Sequence, residues 1–222
     1  MSGTCSTNNN KRNTTKLKTY TQLRRNLTET PLPDAWDKNI FDTKVPFKTR
    51  VEYAKTRANQ VGTGSSRIAF VIPYEGRNTV LKIAKNRKGH AQNEVEVDVL
   101  GSAWSLTDTA SDLLIPMIDY DDKSSTPTWI HMEYAPYPKK TDFIRYWGES
   151  LDDVMNAIWK AKRNFGPTSG DSEIVKGIYE LYESLDVEVG DFKHERNWGI
   201  YNGRIVIVDI GLNPDVWTKF YQ

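Results

Sequence analysis

One cysteine, Cys5, stands in 222 residues, which excludes an internal disulfide and a cysteine-ligated zinc cluster. So little cysteine fits a reducing compartment such as a cytoplasm. No apolar run approaches the ~20 residues of a membrane-spanning helix. Residues 1–30 are too polar for a secretory signal. Gly and Pro number only 14 and 10, while aromatics make up 11%, so collagen-like and wholly disordered chains are excluded. Charge of one sign is also lacking: the net is +1. Residues 1–30 hold six basic residues against Glu29, leaving 24 basic and 28 acidic residues for 31–222. The folded part therefore lacks the basic field that nucleic-acid binding needs.

What is present divides the chain in three. Residues 1–39 read as a flexible basic extension, with a short helix near Leu17–Leu27. Residues 40–135 read as antiparallel sheet plus one helix. The strands are Arg67–Ile72 and Thr79–Ala84 around the turn residues Glu75–Asn78, then Leu113–Tyr120 and Trp129–Tyr134. The helix, near 90–104, turns Val95, Val99, Leu100 and Trp104 inward. Residues 136–222 read as mainly helical. Ser150 and Asp153 open a helix whose Leu151, Val154, Met155, Ile158 and Trp159 share a face. A second helix, after Asp171, does the same with Ile174, Ile178, Leu181, Tyr182 and Leu185. Pro214 fits the first turn of a short closing helix.

The sharpest local signal is Asn202-Gly203 between Trp198–Tyr201 and Arg204–Val208, the signature of a two-residue type I′ hairpin. Counting outward pairs 201 with 204 and 197 with 208. Asn197 and Asp209 thus emerge at one open end. An amide oxygen and a carboxylate side by side suit a hard divalent cation. Asp191, after an expected strand Val187–Val189, reaches the same mouth and can accept a hydroxyl proton; Lys193 can reach a phosphoryl group. Upstream, Gly62-Thr63-Gly64-Ser65 can lie against phosphates through backbone N–H groups. Lys82 shares a strand face with Val80 and Ala84, opposite Leu81 and Ile83. Glu94 or Glu96 can hold that lysine in place.

The order of these parts resembles the protein-kinase-like fold over residues 55–212. The resemblance implies an α+β, two-lobed molecule: a small antiparallel-sheet lobe over 40–135 and a truncated helical lobe over 136–222. It implies that Gly62, Gly64 and Ser65 cover ATP, that Lys82 holds its phosphates, and that Met132–Ala135, with Glu133 and Ala135, form the adenine hinge. It further implies Asp191 as catalytic base, Asn197 and Asp209 as Mg²⁺ ligands, and Gly211 as the glycine of Asp-x-Gly. The wording of Val80–Asn86, Ala91–Glu94 and Val208–Asn213 also resembles small bacteriophage kinase-like proteins.

The pattern departs from the family in places. Arg67 stands where a third loop glycine is expected, and Ile210 where Phe is. Asn197 comes six positions after Asp191 rather than five, so the segment between must bulge. Only eleven residues follow Gly211, too few for the platform on which protein kinases bind peptides. Two functions follow as expectations. One is an ATP- and Mg²⁺-dependent phosphotransferase with a small or unknown acceptor. The other is an inactive pseudokinase that binds a host protein through exposed aromatics. Nucleic acid and membrane are not expected partners.

Overall fold

The computed structural model describes residues 32–33 and 36–222. The expected helix near Leu17–Leu27, Cys5 and the basic segment lie outside the described residues. The packed part begins earlier than residue 40: Leu32 and Trp36 are buried, so the expected boundary after residue 39 falls inside the core.

Five antiparallel strands form one sheet in the order β1-β2-β3-β5-β4. They are β1 (Asn59–Thr63), β2 (Arg67–Tyr74), β3 (Arg77–Ala84), β4 (Met117–Tyr120) and β5 (Trp129–Glu133). β2 and β3 turn at Glu75-Gly76, both at positive φ (47° and 76°), two residues tighter than the expected Glu75–Asn78 loop. Alternation then sorts the faces. Ile68, Phe70, Ile72, Leu81 and Ile83 pack with Leu32, Trp36, Phe41 and Val51 into one cluster. Val51 belongs to α1 (Phe47–Lys55), a helix that sequence patterning did not single out.

The other face looks toward α2 (Arg87–Gly101) and the remainder of the chain. α2 starts earlier than expected because Asn86 caps it, its side chain accepting from the Gly89 N–H at 3.0 Å. It also ends earlier. Trp104 lies beyond it in a 3₁₀ turn, Ala103–Ser105, and is 80% exposed rather than inward. The expected strand Leu113–Tyr120 splits. Asp108–Asp112 forms a short helix, α3, and only Met117–Tyr120 pairs in the sheet. Leu114 instead makes an isolated parallel bridge to Ile207.

Helices α4 (Lys140–Trp147), α5 (Leu151–Arg163) and α6 (Glu173–Leu185) follow. Ser150 and Ser172 cap α5 and α6, accepting from Asp153 and Val175 N–H. Leu151, Val154, Met155 and Ile158 are buried as the 3.6-residue period requires, while Trp159 sits at the rim, 36% exposed. On α6 the buried set is Val175, Ile178, Tyr179 and Leu181; Ile174, Tyr182 and Leu185 are half-buried around it. β6 (Trp198–Tyr201) and β7 (Arg204–Ile207) form a separate hairpin, and α7 (Pro214–Tyr221) closes the described chain. One large cluster joins α2 and β5 to α4–α6 and this hairpin, so the sheet and the helices share a core.

Candidate functional site

The β6–β7 hairpin adopts the expected register, Trp198 with Ile207 through Tyr201 with Arg204. Asn202 and Gly203 both sit at positive φ (48° and 77°), as a type I′ turn demands. Val208 N–H donates to Asn197 O at 2.8 Å, which continues the ladder to the open end. The segment before it is not a strand. Val189–Lys193 and Glu195–Asn197 are successive 3₁₀ turns, with extended His194 between them, and they absorb the extra residue between Asp191 and Asn197. Two bonds fix this path: Asn197 Nδ2 donates to Asp191 O at 2.8 Å, and Trp198 Nε1 donates to Phe192 O at 2.7 Å. Trp198 is fully buried in edge contact with Phe143, Trp147 and Phe192. The turns over residues 189–197 are therefore anchored on an aromatic cluster.

Two glycines let the hairpin reach the sheet. A Cβ on Gly199 would lie 2.5 Å from Ala135 Cβ, and one on Gly211 would lie 2.5 Å from Gln92 O and 2.9 Å from Arg67 Nη1. Only a glycine permits each approach. The contacts bring the end of β5 and the middle of α2 against the hairpin. Between them lies a cleft of about 490 Å³ lined by Gly62, Gly64, Ser65, Arg67, Lys82, Glu133, Ala135, Asp191, Arg196, Asn197 and Asp209, among others.

At its floor is a buried ion-pair network. Lys82 Nζ lies 2.7 Å from Glu96 Oε1, donates to Val208 O at 2.5 Å, and stands 3.8 Å from Asp209 Oδ1. Glu96 is fully buried whereas Glu94 is exposed, so Glu96 is the partner of Lys82 and Glu94 takes no part. Arg67 bridges the halves: Nη1 donates to Glu96 Oε2 and Nη2 to Asp209 Oδ1, with Asn93 Oδ1 3.4 Å from Nη1. Burial opposes the charge on Arg67, but the carboxylates of Asp209 and Glu96 outweigh it and raise its pKa. Burial likewise works against the Asp209 carboxylate, yet Arg67, Lys82 and the Gly211 N–H prevail and lower its pKa. Asp191 moves the other way. Burial first, and then the charge of Asp209, push its carboxyl above the ordinary aspartate value.

The remaining expected residues fall as follows. Gly62 sits at a register shift of β1, and Gly64 N–H donates to Arg67 O at 2.9 Å. The loop is tied to the start of α2 by Lys85 Nζ on Gly64 O (2.7 Å) and Lys88 Nζ on Ser65 Oγ (3.2 Å). The Glu133 side chain pairs with Arg77 at 2.8 Å. Lys193, in the first 3₁₀ turn, is exposed and outside the cleft lining. Arg196, three residues on, lines the cleft in its stead. Sequence reasoning missed Arg67 and Arg196 as site residues. For Arg67 the available signal was a cation at the start of a strand whose alternation places it on the face of Lys82. It also missed Tyr221, whose hydroxyl accepts from Gln92 Nε2 at 3.1 Å at the edge of the cleft.

The donor set does not match a divalent cation as it stands. Asp209 Oδ1 already accepts from a guanidinium, Arg67 and Lys82 put two fixed positive charges beside it, and Asn197 adds only a neutral amide. Among the described residues, no group of three or more His, Cys, Asp and Glu is placed to hold a metal ion, and no helix is long and apolar enough to cross a membrane.

No protein-family model and no curated protein matches this chain. Among solved structures it is similar to the crystal structure of the aminoglycoside phosphotransferase APH(4)-Ia, with 16% identity and a TM-score of 0.35. The likeness covers 68% of this chain and 65% of that one, so the chain spans slightly under two thirds of that protein's length. A likeness this weak assigns no activity.

Proposed function

We propose that this cleft binds a nucleoside triphosphate and that the protein is a kinase-like phosphotransferase acting on a hydroxyl-bearing acceptor. One observation carries the reading: a strand lysine, a buried helix glutamate and the acidic mouth of a distant hairpin converge on one cleft, across 126 residues between Lys82 and Val208. Val61, Ala69, Val80, Met132, Ala135 and Val208 offer an apolar slot for a planar base. Lys82, oriented by Glu96, meets the phosphates. Asp191, with its raised pKa, takes the acceptor's proton as the acceptor oxygen bonds to the terminal phosphorus. The bridging oxygen–phosphorus bond breaks and the diphosphate leaves with that electron pair.

The test is thermal unfolding with ATP, GTP and the adenosine nucleotides. Nucleotide should raise the melting temperature by several degrees, and Lys82→Met should remove the rise. If millimolar nucleotide produces no shift, this reading fails. A second reading, a nucleotide held without transfer, is favoured by the Arg67–Asp209 pair, which occupies the carboxylate the transfer chemistry of kinases relies on. Release of labelled phosphate, or its arrival on any acceptor, separates the two.

A further inference from the structure

We propose that Arg67 is the resident cation of the cleft, so that a nucleotide's polyphosphate is held by Arg67 and Lys82 without a divalent metal. The inference rests on the nucleotide-cleft reading and deepens it.

The charges at the cleft floor make the case. Lys82 and Arg67 are two cations, Glu96 and Asp209 two anions, and all four are linked by direct contacts. The set is neutral as built. Remove Arg67 and the same cluster carries one excess negative charge, the condition that recruits a metal ion. With Arg67 present, a divalent cation must displace a guanidinium from Asp209 Oδ1 while lying beside two fixed positive charges.

The arginine is fixed in place. It is 7% exposed, held on one side by fully buried Glu96 and on the other by Asn93, which is itself anchored by Nδ2 donating to Pro127 O at 3.0 Å. Its backbone carbonyl accepts from Gly64 N–H at 2.9 Å, which ties the glycine loop to the residue that carries the guanidinium. Gly211 allows the approach, since a Cβ there would meet both Arg67 nitrogens at about 3 Å. Asp209 is the movable partner, with its side chain 46% exposed. A guanidinium has five N–H donors in a fork suited to phosphate oxygens. An incoming polyphosphate can therefore replace Asp209 as the anion on Arg67, while Glu96 keeps the arginine aimed.

The experiment is calorimetric titration of the full chain with ATP, once in EDTA and once in excess Mg²⁺. Similar affinity in the two buffers, within about threefold, is expected. Arg67→Met should weaken binding in EDTA by roughly tenfold or more and restore it with Mg²⁺, because the freed Asp209 then has no competing cation. Asp209→Ala, at a half-exposed position, is the second variant and should raise metal-free affinity. Binding by the unmodified chain that needs Mg²⁺ overturns the proposal and leaves the nucleotide cleft standing. Metal-free binding that survives Arg67→Met, or that falls with Asp209→Ala, also overturns it. Absence of binding in both buffers defeats the cleft reading itself.

Discussion

The two glycine-turned hairpins share one turn geometry and differ in nearly everything else. β2–β3 turns at Glu75-Gly76 and β6–β7 at Asn202-Gly203, with φ values matching within a degree at each position. The first hairpin lies inside a five-stranded sheet, whereas the second is a two-stranded ribbon. Their open ends face each other across the cleft. The polar groups of the first, Arg67 and Lys82, are buried and must be paired, since an unpaired buried charge is prohibitively costly. The second offers Asp209, half open to solvent. Burial thus fixes the cations and leaves the carboxylate adjustable. The side of the cleft that holds its charge rigidly is the side best suited to orient a ligand.

The comparison breaks most sharply at Glu96, the fully buried carboxylate that both cations of the first hairpin share. Glu96→Ala strands Lys82 and Arg67 in the interior with Asp209 as their remaining carboxylate. Loss of one partner from a buried ion pair costs about 3–5 kcal/mol, so chemical denaturation should show a loss of that size. Glu94→Ala, two residues away and exposed, should change stability by less than about 0.5 kcal/mol. Comparable losses from the two would mean that the network does not hold the hairpin.

Next in size is the contact between the hairpins. Gly211→Ala puts a methyl group 2.5 Å from Gln92 O, a backbone atom that cannot swing aside. Overpacking of this kind costs about 1–3 kcal/mol. The variant should also loosen Arg67, visible as faster hydrogen exchange at the β1–β2 loop. Gly203→Ala strains a turn with open space around it and should destabilise without reaching that loop.

A pH series separates the two aspartates of the second hairpin's mouth. Asp209 titrates below its unfolded value, so its contribution is complete above about pH 4 and is lost as pH falls through its folded value. Asp191 titrates above its unfolded value, so its contribution is present at low pH and is lost as pH rises through the folded value. Urea midpoints should therefore show Asp209→Asn weakening the protein at pH 7, with the difference from the parent closing only as acid carries the pH down through the lowered folded value. Asp191→Asn should strengthen it at pH 7, with the gain shrinking in acid.

How much of this could be read from the sequence follows the same divide. The second hairpin was legible to the residue because its register follows from Asn202-Gly203 alone, with no tertiary partner needed. Lys82 and its face followed from strand alternation, whereas Glu94 and Glu96 both stayed open as its partner, since a place beside Val99 and Leu100 favours Glu96 only slightly. The network around them was not legible. Arg67 reads as a missing glycine in the loop, and its role depends on Glu96 and Asp209, which lie 29 and 142 residues away. The split of Leu113–Tyr120 was hidden for a related reason. Leu113, Leu114 and Ile115 are apolar enough for a strand, but they are buried against the helical core and bridge to Ile207 rather than join the sheet. Trp104 reads as inward only on a helix that runs to 104, while the helix ends at Gly101 and leaves it outside.

The smallest effect tests whether the two turns are truly equivalent. Glu75 occupies the left-handed region at φ 47°, where Asn202 sits in the other hairpin, and a γ-branched amide tolerates that region better than a longer acid. Glu75 offsets part of its strain by pairing with Arg77 at 3.0 Å, an exposed contact worth at most about 1 kcal/mol. Arg77 keeps its stronger partner, Glu133, at 2.8 Å. Glu75→Asn should therefore stabilise the protein by about 0.5 kcal/mol, a rise of roughly 1–2 °C in the melting temperature. The reverse change, Asn202→Glu, should cost at least as much, because Arg204, which stands where Arg77 does in the first hairpin, is already engaged with Asp112. Equal and opposite shifts would make the turns interchangeable. A loss from Glu75→Asn would show that the Arg77–Glu75–Glu133 cluster, rather than the turn, sets the register of the hairpin that carries Lys82.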